Sequence, residues 1–151
     1  MKQNQIIDLY NIFIKTQNQF NSIKRSKKYV YKEIILYSAE LQVLGLLKSN
    51  NLLTVTNLSE ELFMTKSAIS QLVKKLYSKK LITKTRNIEN ERIVHLEITD
   101  LGDKVINHFL INRQKELGLF ISEFTEMDKM QYDSILMFYN KLSKMFDKTL
   151  E

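Results

Sequence analysis

Cysteine is absent from the 151 residues, which excludes a disulfide framework, a thiolate metal site, a thiol nucleophile and a cysteine redox switch. A reducing compartment fits this absence, and a cytoplasmic location is expected. Proline is absent too, and glycine occurs only at Gly45, Gly102 and Gly118. Helices therefore meet few breakers, so a mainly α chain is expected, and glycine-rich phosphate loops are excluded. No window reaches the roughly 18 uncharged apolar residues of a membrane span. The opening MKQNQIIDLYNIFIKTQNQF lacks the apolar core and small residues of a secretory signal, so neither secretion nor membrane insertion is expected. The two histidines, His95 and His108, fall on separate elements and build no catalytic triad or metal-ligand spacing. An enzyme is not indicated, and no cofactor or metal is expected.

What is present is apolar mass and localised charge. At 44% hydrophobic the chain can bury one ordinary core without staples. Its net charge is +6, and the segment from Thr65 to Arg92 carries that whole excess, with eight cations against Glu89 and Glu91. A basic surplus confined to one segment is the electrostatic footprint of a polyanion partner.

Ile6, Leu9, Tyr10, Phe13, Phe20 and Ile23 recur at helical spacing, so the first ~20 residues read as an amphipathic helix. The basic stretch Lys24 to Lys32 interrupts it. Ser38 reads as the N-cap of a second helix carrying Leu41, Val43, Leu44 and Leu47, ended by residues 49–51. Leu52 to Val55 reads as a short extended segment. Thr56 or Asn57 then caps a short helix with Leu58 and Leu62 one turn apart and Glu60 and Glu61 in its first turns.

After a turn at Met64, Thr65 is a good N-cap for a helix in which Ile69, Leu72, Val73 and Leu76 form the inward stripe. Its other face offers Lys66, Ser67, Ser70, Gln71, Lys74 and Lys75, side chains that donate to phosphates and read base edges. Two short helices joined by a tight turn, the second basic outward, describe a helix-turn-helix. Leu81 to Arg86 and Arg92 to Thr99 read as strands, the second with Val94, Leu96 and Ile98 on one side. The polar segment from Asn87 to Glu91 makes the tip of this hairpin wing, and Arg86 and Arg92 at its base can reach a minor groove or flanking phosphates. Glu89 and Glu91 are awkward there: either they orient Arg92 or they point away from DNA.

Thr99 reads as the N-cap of a long helix with Asp100 and Asp103 in its first turn and a stripe from Val105 to Phe124. Thr125 with Asp128 resembles a capping box for a last helix bearing Tyr132, Ile135, Leu136, Tyr139, Leu142 and Phe146. These terminal helices hold more apolar surface than a small reading head can cover. A homodimer is therefore expected, and its two-fold axis matches duplex half-sites.

The segments LYSAELQVLGLL at 36–47, TNLSEELFMTKSAISQLVKKLYSKKLITK at 56–84 and ENERIVHLEITDLG at 89–102 resemble the MarR family of transcription regulators. The last includes the family's apolar, Thr, two residues, Gly signature as Ile98, Thr99 and Gly102. The resemblance implies one domain over 1–151, mainly α with a small β-hairpin wing. It comprises a winged helix-turn-helix lobe at about 38–99 and dimerisation helices at about 1–33 and 100–148. It implies a homodimer on double-stranded DNA, contacting it through Thr65, Lys66, Ser67, Ser70, Gln71, Lys74, Lys75, Arg86, Asn87, Asn90 and Arg92. Where the family often places an aspartate to hold the wing arginine, this chain has Asn90. Relatives that release DNA on binding a small aromatic effector make Tyr29, Tyr31, Tyr37 and Phe109 candidates for an effector pocket. Cysteine-based oxidant sensing is excluded, and two histidines are few for zinc sensing. The resulting expectation is a ligand-responsive repressor on a palindromic operator; the alternative is a winged-helix module that binds protein.

Overall fold

The computed structural model describes residues 3–50, 52–86 and 93–150, with side chains described through residue 147. Asn87, Asn90 and Arg92 lie outside the described residues. The chain divides into two compact units, Met1–Leu110 and Ile111–Glu151.

The first unit begins with helix α1, Gln3–Ser26, which has no buried residue. The basic stretch expected to break this helix does so only at its end, after Ser26. A hairpin that the sequence reading did not anticipate follows, strands β1 (Lys28–Tyr31) and β2 (Ile34–Tyr37). The register Tyr29↔Leu36 and Tyr31↔Ile34 places four apolar side chains on the inward face. Lys28 on the outward face and Lys32 in the turn mask this two-residue period.

Helix α2, Ser38–Ser49, starts one residue earlier than expected: Tyr37 is the N-cap and Ser38 is already helical. The Tyr37 N–H is satisfied by Glu40, whose Oε2 accepts it at 3.0 Å, so no hydroxyl is needed at the cap. Thr54, rather than Thr56 or Asn57, caps helix α3 (Val55–Leu62). Asn57 N donates to Thr54 Oγ1 at 3.2 Å while Thr54 N donates to Asn57 Oδ1 at 3.0 Å, a reciprocal pair that satisfies both donors. Glu60 and Glu61 consequently lie past the first turn. Of the expected extended segment, Leu53 alone pairs, bridging to Leu96, and Val55 is helical.

Helix α4, Lys66–Ser78, is capped by Thr65 as expected, Oγ1 accepting from Ala68 N at 3.2 Å. Strands β3 (Ile82–Arg86) and β4 (Val94–Ile98) form the antiparallel second hairpin with Arg86 opposite Val94. Leu96 is buried, whereas Val94, expected to share its environment, is exposed because it sits near the hairpin's outer end. The core of the unit gathers Leu36, Leu44, Leu47, Leu58, Ile69, Leu76, Leu96 and Ile106 from nearly every element. Each such side chain contributes roughly 1.5–3 kcal/mol on burial.

Helix α5 spans Asp100–Glu123 and supplies Gly102, Val105 and Ile106 to this core. Its start is fastened to the turn after α4: Thr99 Oγ1 donates to Lys80 O at 2.8 Å and accepts from Gly102 N at 3.0 Å. Thr99 N donates to Leu81 O at 3.0 Å. A Cβ on Gly102 would stand 2.1 Å from that same Leu81 oxygen, so the backbones approach more closely than any side chain permits. This contact gives the Thr99 and Gly102 signature a physical reason.

The second unit holds the end of α5 and helix α6, Lys129–Leu150. Asp128 caps α6 in a box with Gln131, Oδ1 accepting from Gln131 N at 2.8 Å and the amide side chain returning the bond at 3.0 Å. Thr125, expected in that role, instead donates to Ile121 O at 2.9 Å and closes α5. Among the described residues, no helix is long and apolar enough to cross a membrane.

Candidate nucleic-acid interface

The α3–α4 pair is a helix-turn-helix whose second helix is sharply two-faced. Ile69, Val73 and Leu76 are buried, with Leu72 partly so, and they seat α4 on the core. The opposite positions Lys66, Ser67, Ser70, Gln71, Lys74 and Lys75 are all exposed, as is Thr65 at the cap. The helical period alone forces this: three or four apolar residues per two turns face inward, so the donors between them face water. The exposed strip offers ammonium groups, hydroxyls and an amide along a single helix of groove-entering size.

Three observations refine the interface. Lys79, counted with the basic segment, is withdrawn from it: its Nζ donates to Glu40 Oε1 at 2.6 Å and to Ile35 O at 2.7 Å. Glu40 and Lys79 are 39 residues apart, and no sequence pattern announces that pair. Lys84 on β3 lies over the Tyr77 ring, 5.2 Å from its centroid, which ties the wing to the end of α4. Arg86 is exposed at the outer end of β3.

The aromatic candidates separate. Tyr29 meets Phe109 edge to face with centroids 5.2 Å apart, and Tyr31 stands 5.3 Å from the His108 ring. The Tyr29 phenol and His108 Nδ1 share a hydrogen bond. His108 thus joins a cluster that the sequence reading had assigned to tyrosine and phenylalanine alone. Tyr37 pairs with Lys28 on the other face of the hairpin, away from Tyr29 and Tyr31. His95 lies elsewhere, its Nδ1 3.0 Å from Leu52 O. Among the described residues, no group of three or more His, Asp or Glu is arranged to hold a metal ion.

A sequence profile described as MarR family matches residues 37–93, which span the helix-turn-helix and most of the wing. The chain is 27% identical over 136 residues to the uncharacterized HTH-type transcriptional regulator YpoP of Bacillus subtilis (strain 168), covering 90% of this chain and 89% of that one. Residues 37–93 of the chain thus carry a MarR-family segment. The chain is also 31% identical over 93 residues to the HTH-type transcriptional repressor MdtR of the same organism, a match spanning 62% of this chain and 60% of that repressor. The fold superposes on that of ZitR of Lactococcus lactis, solved in complex with DNA, with a TM-score of 0.69 at 23% identity over 97% of this chain and 99% of that one. ZitR is described as zinc-responsive. That likeness shows a shared fold.

Proposed function

We propose that this chain is a regulator of the MarR type, a cytoplasmic homodimeric repressor that acts by binding a palindromic operator, not by catalysis. The observation that carries this reading is the outward strip of α4, Lys66, Ser67, Ser70, Gln71, Lys74 and Lys75, all exposed, together with the exposed Arg86 at the end of β3. In this reading Thr65, Lys66 and Ser67 meet the duplex at the helix N-terminus, Ser70 and Gln71 read base edges, and Lys74 and Lys75 pair with phosphates. Arg86, Asn87, Asn90 and Arg92 would serve the wing. Dimerisation is supported by exposed apolar side chains on α1 (Ile6, Leu9, Tyr10) and α6 (Tyr132, Ile135, Leu136, Tyr139), surface that a second copy would cover. The effector class that fits is a small aromatic acid, entering beside the half-buried Tyr29, Tyr31 and Phe109, with His108 at hand to meet a carboxylate.

Selection of duplexes from a random pool, followed by footprinting and anisotropy titration, tests the reading. A palindrome with half-site centres about one helical turn apart is expected. Four cations per subunit at phosphates (Lys74, Lys75, Arg86 and Arg92) give a log-affinity against log-salt slope of about −7 for the dimer. Salt-independent binding, or no selected sequence, would refute it.

A further inference from the structure

The turn between α3 and α4 carries a feature that neither the core nor the exposed strip of α4 explains. Phe63 is the C-cap of α3 in the left-handed region, φ 51° and ψ 43°. The residue is 77% exposed, more than any other large apolar residue described. Each property is unfavourable for phenylalanine: a Cβ crowds the left-handed backbone, which glycine occupies freely, and a bare ring gains nothing from water. The flanking residues behave differently, since Leu62 and Met64 are both partly buried against the core. The turn is also fixed in place, with Met64 N donating to Ser59 O at 3.1 Å and Ser59 Oγ donating to Met64 O at 2.6 Å. The ring is therefore held outward, two residues before the Thr65 cap, at the end of α4 whose N-terminal residues enter the major groove in helix-turn-helix proteins. Lys32 and Lys80 also have positive φ, but their ammonium groups belong in water. Leu52, the remaining positive-φ residue among those described, is not on the helix-turn-helix.

We infer that Phe63 is a DNA-contacting residue, its ring packing on apolar C–H surface at the rim of the major groove beside the α4 N-terminus. The surface is either the 5-methyl group of a thymine or the deoxyribose next to it. This inference rests on the reading of α4 as the DNA-contacting helix. It makes the backbone cost of the turn the counterpart of a contact formed only in the complex.

The test compares the full-length protein with F63G, F63L and K74A on the selected duplex, by anisotropy titration and thermal unfolding. F63G should melt about 2–4 °C higher, because glycine relieves the backbone, yet bind about 10-fold more weakly because the apolar contact is gone. F63L should keep part of the affinity without the gain in melting temperature. Replacing individual thymines by deoxyuridine separates the two sources. Where the methyl group is the partner, one replacement weakens the wild-type protein and leaves F63G unchanged; where it is the sugar, no replacement matters and F63G loses affinity on every duplex. Unchanged binding by F63G alongside weakened K74A overturns the inference and leaves the DNA reading standing. A wild-type chain that selects no duplex overturns both. A melting temperature that falls with the affinity of F63G assigns Phe63 to the fold and also overturns the inference.

Discussion

Replacing Lys79 by methionine should be far more damaging than replacing its partner Glu40 by glutamine, although both changes delete the same ion pair. The carboxylate is 2% exposed and the lysine side chain 28% exposed. After K79M, the Glu40 carboxyl keeps its bond from Tyr37 N but has no counter-ion and almost no water. Stranding a buried charge in this way costs about 3–4 kcal/mol. After E40Q, the amide oxygen still accepts from Tyr37 N, and the lysine keeps Ile35 O and can extend into solvent. The loss is then one charge-assisted hydrogen bond, about 1.5–2 kcal/mol. The sign of the third measurement is the sharper one: added to K79M, E40Q should restore about 2 kcal/mol, since it removes the stranded charge. Urea unfolding followed by far-UV circular dichroism at neutral pH measures all three, at one protein concentration so that dimer mass action cancels. In thermal unfolding, K79M should appear as a drop of about 10 °C. If K79M costs no more than E40Q, or if E40Q destabilises K79M further, the pair does not hold the end of α4 against the α2 N-terminus as the structure describes.

Other perturbations give equally definite outcomes. G102A should destabilise by about 3 kcal/mol, because its methyl meets Leu81 O at 2.1 Å and the turn cannot retreat without losing the Thr99 bonds; urea titration checks this, and a neutral result would refute the close approach. T65A should cost about 1 kcal/mol through the lost cap on α4, while T65S should retain stability. Removing Lys74 should reduce the salt slope of DNA binding by about 2 per dimer and weaken all sequences alike, whereas Q71A should alter base preference at one position of each half-site. L136D, placing a carboxylate on the exposed apolar face of α6, should yield monomers in sedimentation velocity at micromolar concentration.

The helix-turn-helix was readable because its signals are local. The stripe of Ile69, Val73 and Leu76 repeats within one helix, and Thr65 satisfies a donor three residues away. The same locality makes the exposed strip of α4 follow from the sequence once the buried stripe is known. The first hairpin was missed although its inward residues alternate, because Lys28 and Lys32 dominated the composition of a segment only ten residues long. The caps at Thr54 and Asp128 were displaced from the expected positions because several hydroxyl and carboxylate residues stand nearby, and only backbone direction selects the one whose oxygen reaches the free N–H.

By itself the sequence determined which face of α4 turns outward, where most helices lie, and that no cysteine chemistry occurs, since these depend on period, capping residues and composition. Tertiary structure decided that Lys79 leaves the cationic surface for Glu40, that His108 joins Tyr29 and Tyr31, and that Gly102 must stay bare under Leu81. Those pairings join residues some 20 to 80 positions apart, and which distant groups meet is set by packing the whole core, not by any pattern along the chain.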